Sequence, residues 1–283
     1  MLTMYSYLWQ KLVIMTKMNI IESIKKRRSV RTYTGEPLDA STIEKITEYV
    51  NGLKPPFGVK CRVELLQTNT GTEPVKLGTY GFIKGASTFI ALVLEDGSLA
   101  EEGAAYMFEQ VVLHCTALGL GTCWLGASFN KSTFEKQLNL KSGERLRIVS
   151  PLGYASEKRH ISLFLLFGSS KSYQRKPFTA NFFYQHFDTP LTEESAGIYA
   201  QPLEMVRLAP SATNKQSWRI VMDNQTLHFY KSASHGFDSI DLGIALCHFE
   251  QSCHELKIAG HFVVLEKAPQ ARKASYVISW ITE

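Results

Sequence analysis

A short motif occurs twice in this chain of 283 residues, and each copy lies on a long helical pattern. Phe108-Glu109-Gln110 precedes Gly119, and Phe249-Glu250-Gln251 precedes Gly260, with 141 positions between the two motifs and between the two glycines. Repetition at a fixed spacing is typical of a duplicated structural unit. The spacing therefore predicts two related halves, whose long helices pack against each other about a pseudo-twofold axis, as in a symmetric dimer.

The surrounding elements follow the same order in both halves. One helical pattern ends at Pro55 and another at Pro210, and a loop then leads into an apolar strand in each half, at 62–65 and at 219–222. Because proline cannot continue a helix, both prolines mark the same kind of boundary. We expect a ligand site at the junction to take residues from both halves.

The predicted division of the chain has three parts. Residues 1–17 form an N-terminal extension, residues 18–188 the first half, and residues 189–283 the second half. The extension lacks a basic n-region and a cleavage site, and its apolar run is far shorter than the roughly 20 residues that span a bilayer. We interpret it as translation from an upstream Met, with an amphipathic docking segment as the alternative.

Hydrophobic periodicity predicts alternating helices and strands. The predicted helices are 19–28, 40–53, 99–118, 132–138, 192–208 and 239–259. The predicted strands are 62–66, 87–94, 121–126 (a short strand or loop), 146–153, 218–222, 226–231 and 275–281. Asp39 or Ser41 is expected to cap the second helix and Thr192 the fifth. An irregular, aromatic and basic connection at 159–187 precedes the second half. These elements predict an α+β fold, a mostly antiparallel sheet with helices packed around it.

Composition excludes several classes of protein. Hydrophobic residues make up 45% of the chain and charged residues 20%, as in a soluble globular protein. The net charge of +5 is too small and too dispersed for a nucleic-acid interface. The five cysteines form no CxxC pair, so we expect a cytoplasmic protein without disulfides.

Arginines cluster at the end of the first predicted helix. Arg27, Arg28 and Arg31 flank Ser29 at a helix-to-loop junction. Guanidinium groups and a hydroxyl in this position can donate several charge-assisted hydrogen bonds to one phosphate. The alternative is a solvated basic helix end, which contributes little to stability or binding.

A polar loop lies between the helix that ends at Pro210 and the strand that begins at Trp218. It contains Ser211, Thr213 and Asn214, whose side chains, together with backbone N–H groups, can bind the polar edge of a heterocycle. An ordinary turn composed of turn-forming residues is the alternative.

Three segments together resemble the nitroreductase superfamily of FMN-dependent oxidoreductases. The arginine cluster, with Tyr33 and Pro37, resembles the family's N-terminal signature. Pro210-Ser211-Ala212-Thr213-Asn214-Lys215-Gln216-Ser217-Trp218 resembles its second signature, with Ser217 where proline is usual. The segment 119–126 (GLGTCWLG) is similar to the segment that passes over the flavin in these proteins. The resemblance implies a nitroreductase-like antiparallel sheet with packed helices.

The order of the signatures differs from that of ordinary members. The second signature, residues 210–218, is called the Ser-Asn loop and lies in the second half of this chain. At the position where ordinary members have it, this chain has Pro55-Pro56-Phe57-Gly58-Val59-Lys60. This arrangement resembles a tandem-duplicated nitroreductase subfamily, in which one chain mimics the usual homodimer. In such dimers the arginine signature of one subunit and the Ser-Asn loop of the other meet at one FMN. Residues 190–200 contain no arginine, which implies a single remaining site per chain.

The resemblance implies roles for individual residues. Arg27, Ser29 and Arg31 would hold the FMN phosphate, Arg28 would contribute mainly backbone, and Arg175 would also contact the phosphate. The isoalloxazine and ribityl chain would be lined by Pro210, Ser211, Ala212 and Asn214. Leu125 and Gly126 would direct a backbone N–H towards flavin N5. The amide that contacts the pyrimidine edge in typical members is missing near Thr79-Tyr80-Gly81.

The function implied is an FMN-dependent oxidoreductase that transfers electrons from NADH or NADPH to a small acceptor such as a nitroaromatic, quinone or enone. Since the flavin supplies the chemistry, no general acid is assigned. The alternative is a flavin-binding carrier, or a degenerate non-catalytic member that acts as an interaction module. The expected partners are small molecules, neither nucleic acid nor a membrane, and the monomer would be a pseudo-dimer.

The remaining candidates have ordinary interpretations. His114, His248 and His254 are expected to be helix-surface or satisfied core histidines, and Cys123 a small core residue. No residue spacing indicates a metal site, and no G-x-G-x-x-G motif opens a βα unit.

Overall fold

The structure, a computed structural model, describes residues 18–68, 78–157, 174–232, 235–271 and 273–282. The predicted extension 1–17 and most of the predicted 159–187 connection lie outside the described residues. The helices are α1 (Ile20–Lys26), α2 (Ala40–Gly52), α3 (Ala100–Ala117), α4 (Lys131–Leu138), α5 (Ala200–Arg207) and α6 (Asp238–Glu255). The strands are β1 (Cys61–Gln67), β2 (Thr88–Glu95), β3 (Gly121–Thr122), β4 (Glu144–Gly153), β5 (Phe182–Tyr184), β6 (Trp218–Asp223), β7 (Thr226–Lys231), β8 (His261–Val263) and β9 (Ser275–Ile281).

The strands form two sheets with the same topology. The first sheet has the order β1-β2-β4-β3, and the second the order β5-β6-β7-β9-β8. All pairs are antiparallel except β5 with β6. The order β6-β7-β9-β8 repeats β1-β2-β4-β3, so the predicted α+β fold with two related halves is confirmed. No helix in the described ranges combines the length and apolar character needed to cross a membrane.

Strand β5 connects the two halves. It precedes the predicted boundary at residue 189, yet Phe182 is in register with Ile220 of the second sheet. Residues 182–184, which lie before the predicted boundary, therefore extend the sheet of the second half. The placement of the boundary itself stays a prediction.

The structural register of the repeat differs from the predicted one. Helix α6 is displaced from α3 by 138 positions at both ends. The backbone bonds that close the two helices show the same displacement, since the N–H of Leu120 donates to Cys115 O (2.9 Å) and that of Ile258 to Cys253 O (2.8 Å). The spacing of 141 taken from the Phe-Glu-Gln motifs was wrong. Helix ends depend on backbone hydrogen bonds, which a tripeptide identity does not fix.

The predicted helix end at Gly260 is also corrected. Gly119 follows α3 with a φ of 81°, as a left-handed residue that ends a helix. After α6 this conformation belongs to Lys257, with a φ of 59°. Gly260 instead allows the backbone to pass close to β9, because a Cβ there would lie 2.5 Å from the carbonyl oxygen of Ile281.

The two long helices cross at equivalent positions. In the 138-position register Gly243 of α6 corresponds to Ala105 of α3, and these residues contact each other. A Cβ on Gly243 would lie 2.2 Å from the carbonyl oxygen of Glu102 and 2.8 Å from the Cβ of Ala105. Contact between equivalent residues is what the predicted pseudo-twofold relation of the two helices requires.

The fifth helix begins later than predicted. The hydroxyl of Thr192 accepts a backbone N–H as predicted, but in a turn and not at the start of a helix. The N–H of each of Thr192 and Ser195 donates to the other residue's hydroxyl at 3.1 Å. Gly197 then adopts a φ of 55°, which interrupts a helix, and α5 starts only at Ala200. At the second helix, Asp39 is the cap, accepting the N–H of Thr42 at 2.8 Å.

Candidate functional site

The arginine signature lies along β3. Helix α1 begins with a capping box between Asn19 and Glu22 and ends at Arg27. The chain then runs parallel to β3, where the N–H of Val30 donates to Thr122 O at 2.8 Å. A Cβ at Gly121 would lie 2.8 Å from the side chain of Val30, so glycine allows this close approach.

Three side chains of the signature surround one thiol. Burial raises the pKa of Cys123, while the charges of Arg31 and Arg27 and a hydrogen bond with Ser29 lower it. The two guanidinium groups and the hydroxyl therefore lie in the neighbourhood of this buried thiol. Arg28 is exposed at the end of α1, and its assignment stays a prediction.

Two guanidinium groups are only partly satisfied. Nε of Arg27 and Nε of Arg175 are buried, with no hydrogen-bond partner among the residues that the structure describes. Burial lowers the pKa of Arg27. It also lowers the pKa of Arg175 to about 10, with the positive charges of Arg27 and Arg207 contributing. Adjacent like charges and unfilled donors favour a bound anion.

Arg175 connects this cluster to the Ser-Asn loop. Its Nη1 donates to Oδ1 of Asn214 at 2.6 Å, and its Nη2 donates to Leu208 O at 3.2 Å. Nδ2 of Asn214 donates to Gln174 O at 2.7 Å. The structure therefore brings the loop to the arginine cluster, and the Asn214 amide orients Arg175.

Gln216 has a structural role that the sequence reasoning did not assign. The residue is buried, and its N–H donates to Oγ of Ser211 at 2.9 Å. Its Oε1 accepts the N–H of Lys176 at 2.8 Å, and its Nε2 donates to Asn214 O at 3.1 Å. Gln216 thus attaches the loop to the segment that carries Arg175. Its place in the second signature was the only sequence signal.

A buried carboxylate at the start of α6 holds the other side of the loop. Oδ1 of Asp241 accepts the N–H of Ala212 at 2.8 Å, and Oδ2 accepts Oγ–H of Ser217 at 3.4 Å. Nε2 of His235 lies 3.4 Å from Oδ2. Burial raises the pKa of Asp241 to about 7, with the charge of Asp238 contributing. No motif in the sequence points to this carboxylate.

The predicted flavin-facing segment meets the second half at Gly126. A Cβ at Gly126 would lie 2.3 Å from the ring of Phe237, and the Arg147 guanidinium lies 4.4 Å from the centre of that ring. The expectation for Leu125 is corrected, because its N–H donates to Val149 O at 2.9 Å within the first sheet. Of the two predicted donors, the N–H of Gly126 stays a prediction.

The segment Pro55–Lys60 is the first-half counterpart of the Ser-Asn loop. It has a similar backbone conformation but different side chains. Phe57 and Gly58 have φ values of 59° and 68°, and Thr213 and Asn214 have values of 50° and 57°. The Phe57 ring packs against the ring of Phe262 at 5.8 Å between centroids. Aromatic packing thus replaces the polar groups of the loop on this side.

Comparisons with known proteins identify the family and support the fold. Residues 19–253 match the profile of a family described as "Putative TM nitroreductase". The solved structure of a nitroreductase-like protein from Thermotoga maritima is 20% identical, with 94% of each chain covered and a TM-score of 0.61, and it supports the fold.

Other solved structures match half of the chain. A nitroreductase family protein from Clostridium difficile is 21% identical, with 50% of this chain and 88% of that chain covered and a TM-score of 0.41. A nitroreductase with bound FMN from Bacteroides fragilis is 18% identical, with 50% and 91% covered and a TM-score of 0.39. No curated protein matches the sequence. Because the family profile covers most of the chain, the protein belongs to the TM nitroreductase family.

Proposed function

We propose that this chain is an FMN-dependent oxidoreductase that transfers electrons from NADH or NADPH to a small acceptor such as a nitroaromatic, quinone or enone. The observation that carries the proposal is that the buried Nε atoms of Arg27 and Arg175 have no hydrogen-bond partner among the described residues, and that Arg175 is bonded to the Ser-Asn loop. Membership of the nitroreductase family and the FMN named for some family structures support it.

The residues present fit FMN at its phosphate end. Arg27, Ser29, Arg31 and Arg175 would hold the phosphate, since unfilled guanidinium donors in a partly buried position favour a dianion. Bound FMN would supply hydride and electron transfer. The protein would exclude water from the ring through Phe237 at the junction of the halves. Pro210, Ser211 and Ala212 would line the cofactor, with Asn214 orienting Arg175.

A flavin-binding carrier without turnover is the second candidate. The sequence Thr79-Tyr80-Gly81 offers no amide for the pyrimidine edge, and the side chain of Tyr80 is exposed. Oxidation of NADPH or NADH by the FMN-loaded protein with a quinone would support the enzyme. A yellow protein whose visible spectrum is unchanged by either nucleotide would instead indicate the carrier.

Arg27→Ala should weaken FMN binding by about 1.5–3 kcal/mol, the range for hydrogen bonds to charged groups. Titration of the cofactor-free protein with FMN measures this loss. Arg28→Ala is the matched control, because it removes an exposed arginine from the adjacent position. Equal FMN affinity of Arg27→Ala and wild type would exclude Arg27 from the phosphate site.

The chain should carry about one FMN, because only one junction of the pseudo-dimer combines an arginine cluster with a Ser-Asn loop. The equivalent loop on the other side is packed with aromatic rings, including that of Phe57. Release of the cofactor by denaturation, followed by absorbance, gives the ratio. Two FMN per chain would show that the loop at Pro55–Lys60 also binds.

A further inference from the structure

An arginine occupies equivalent positions in the two sheets. Arg62 of β1 pairs with Val93 of β2, and Arg219 of β6 pairs with Tyr230 of β7. The ladder to the following strand changes register immediately before that partner in both sheets, at Val93 in the first and at Tyr230 in the second. The same irregularity at the same place in the same topology identifies Arg62 and Arg219 as counterparts.

The first-half arginine is paired with carboxylates. Nε and Nη2 of Arg62 donate to the two carboxylate oxygens of Glu144 at 2.8 and 2.9 Å, and Nη1 donates to Glu64. Glu95 pairs with Glu144 in the ladder and lines the same small cavity, of about 180 Å³. The charge of Arg62 is therefore balanced within the chain.

The second-half arginine has none of these carboxylates beside it. Uncharged residues replace all three in the register of the second sheet: Val221 for Glu64, Ser232 for Glu95 and Ala274 for Glu144. Among the residues that the structure describes, Arg219 forms hydrogen bonds through Nη1 alone, to Gln216 O at 3.2 Å and to Trp218 O at 2.6 Å. Its remaining donors are therefore available to a bound anion.

A groove of about 560 Å³ lies at this place in the second half. Arg219, Ser232 and Ala274 line it, as their counterparts line the smaller cavity of the first half. Phe187 forms part of its wall, and the ring of Tyr230 holds that of Phe187 edge-on, with 5.0 Å between centroids. Because small-molecule pockets measure roughly 300–1,000 Å³, the groove can hold an organic molecule with a flat ring.

The charges at the groove are mostly positive. Nζ of Lys176 donates to Gln216 O at 3.3 Å, so Lys176 and Arg219 share one acceptor. Lys273 also lines the groove, and among the described lining residues Asp188 supplies the carboxylate. Three cations against one carboxylate leave an excess of two positive charges. A phosphate monoester, which carries about two negative charges at pH 7, balances this excess.

We propose that this groove binds a nucleoside monophosphate, with the Arg219 guanidinium donating to the phosphate and the Phe187 ring beside the base. Guanidinium groups bind phosphate through two parallel hydrogen bonds, and bases stack on aromatic side chains. The site uses none of the residues assigned to FMN, and it does not depend on the proposed function.

Ala274→Glu tests the site without removing a native hydrogen bond. It restores the carboxylate that Glu144 supplies in the first half, which should pair with Arg219 and exclude a phosphate. Ala274→Gln is the matched control, since it adds the same bulk without the charge. In calorimetric titrations with AMP, Ala274→Glu should bind at least about tenfold more weakly than Ala274→Gln, because hydrogen bonds between charged groups are lost. Equal affinities of the two variants would overturn the inference.

The wild-type titration is made with saturating FMN present and repeated without it. AMP should bind in both cases, and binding only in the absence of FMN would place AMP in the flavin site and overturn the inference. AMP should also bind at least about tenfold more tightly than adenosine or inorganic phosphate, which each lack one of the two recognised parts. Adenosine or phosphate that binds as tightly as AMP, or no binding of AMP, would equally contradict the assignment.

Discussion

Gly243→Leu should lower the free energy of unfolding by on the order of 3 kcal/mol or more, the upper range for overpacking a core. The Cβ would lie 2.2 Å from the carbonyl oxygen of Glu102, which is backbone and cannot rotate away. Helices α3 and α6 would have to separate at the pseudo-twofold axis. The higher helix propensity of Leu offsets only about 1 kcal/mol. Urea unfolding of the two proteins measures the difference.

Gly52→Leu is the control for this substitution. Gly52 ends α2, and a Cβ there would have no atom within 4 Å. We expect a change within about 0.5 kcal/mol, as for surface substitutions in general. Equal stability of Gly243→Leu and Gly52→Leu would mean that the long helices do not cross at Gly243.

Titration of Asp241 should change the free energy of unfolding of the wild type by about 3 kcal/mol between about pH 5 and pH 8. Asp241→Asn should remove this change. Burial raises the pKa of Asp241 to about 7 in the folded protein. In the unfolded chain the pKa is about 4, so between about pH 4 and pH 7 only the folded state holds the proton. The contribution of Asp241 to wild-type stability therefore falls as the pH rises through this window and is constant above it.

The asparagine keeps the acceptor for the N–H of Ala212 but carries no charge at any pH. Its stability relative to the wild type should therefore increase from about pH 5 to pH 8, measured by urea unfolding at a series of pH values. Asp188→Asn, which makes the same substitution at an exposed position, is the matched control. Parallel curves for wild type and Asp241→Asn would mean that Asp241 is already charged at pH 5.

Local signals in the sequence predicted most of the fold. β7 was predicted at its observed bounds, and α2 and β2 to within one residue at each end, because turn residues and apolar periodicity act over short distances. The cap of α5 was predicted at Thr192, seven residues before the observed N-cap position at Tyr199. Thr192 is a good cap for either a helix or a turn, and only the left-handed backbone at Gly197 decides between them.

The register of the repeat shows where sequence reasoning fails. The duplication was predicted correctly, but from a spacing of 141 positions that the helices do not follow. Identical tripeptides carry no information about which residues touch across the pseudo-twofold axis. The register is seen instead in the ends of α3 and α6 and in the backbone hydrogen bonds that close them, which depend on the folded backbone.

For the candidate site, the sequence by itself determined the chemical groups: the arginines of the first half, the Ser-Asn loop of the second, and their resemblance to one family. Only the tertiary structure decided how these groups are used. It directs the Asn214 amide to Arg175, commits the N–H of Leu125 to Val149, and places Asp241 beside the Ser-Asn loop. The physical reason is that a motif specifies donors and charges along the chain. Their partners and burial depend on contacts between residues more than 20 positions apart.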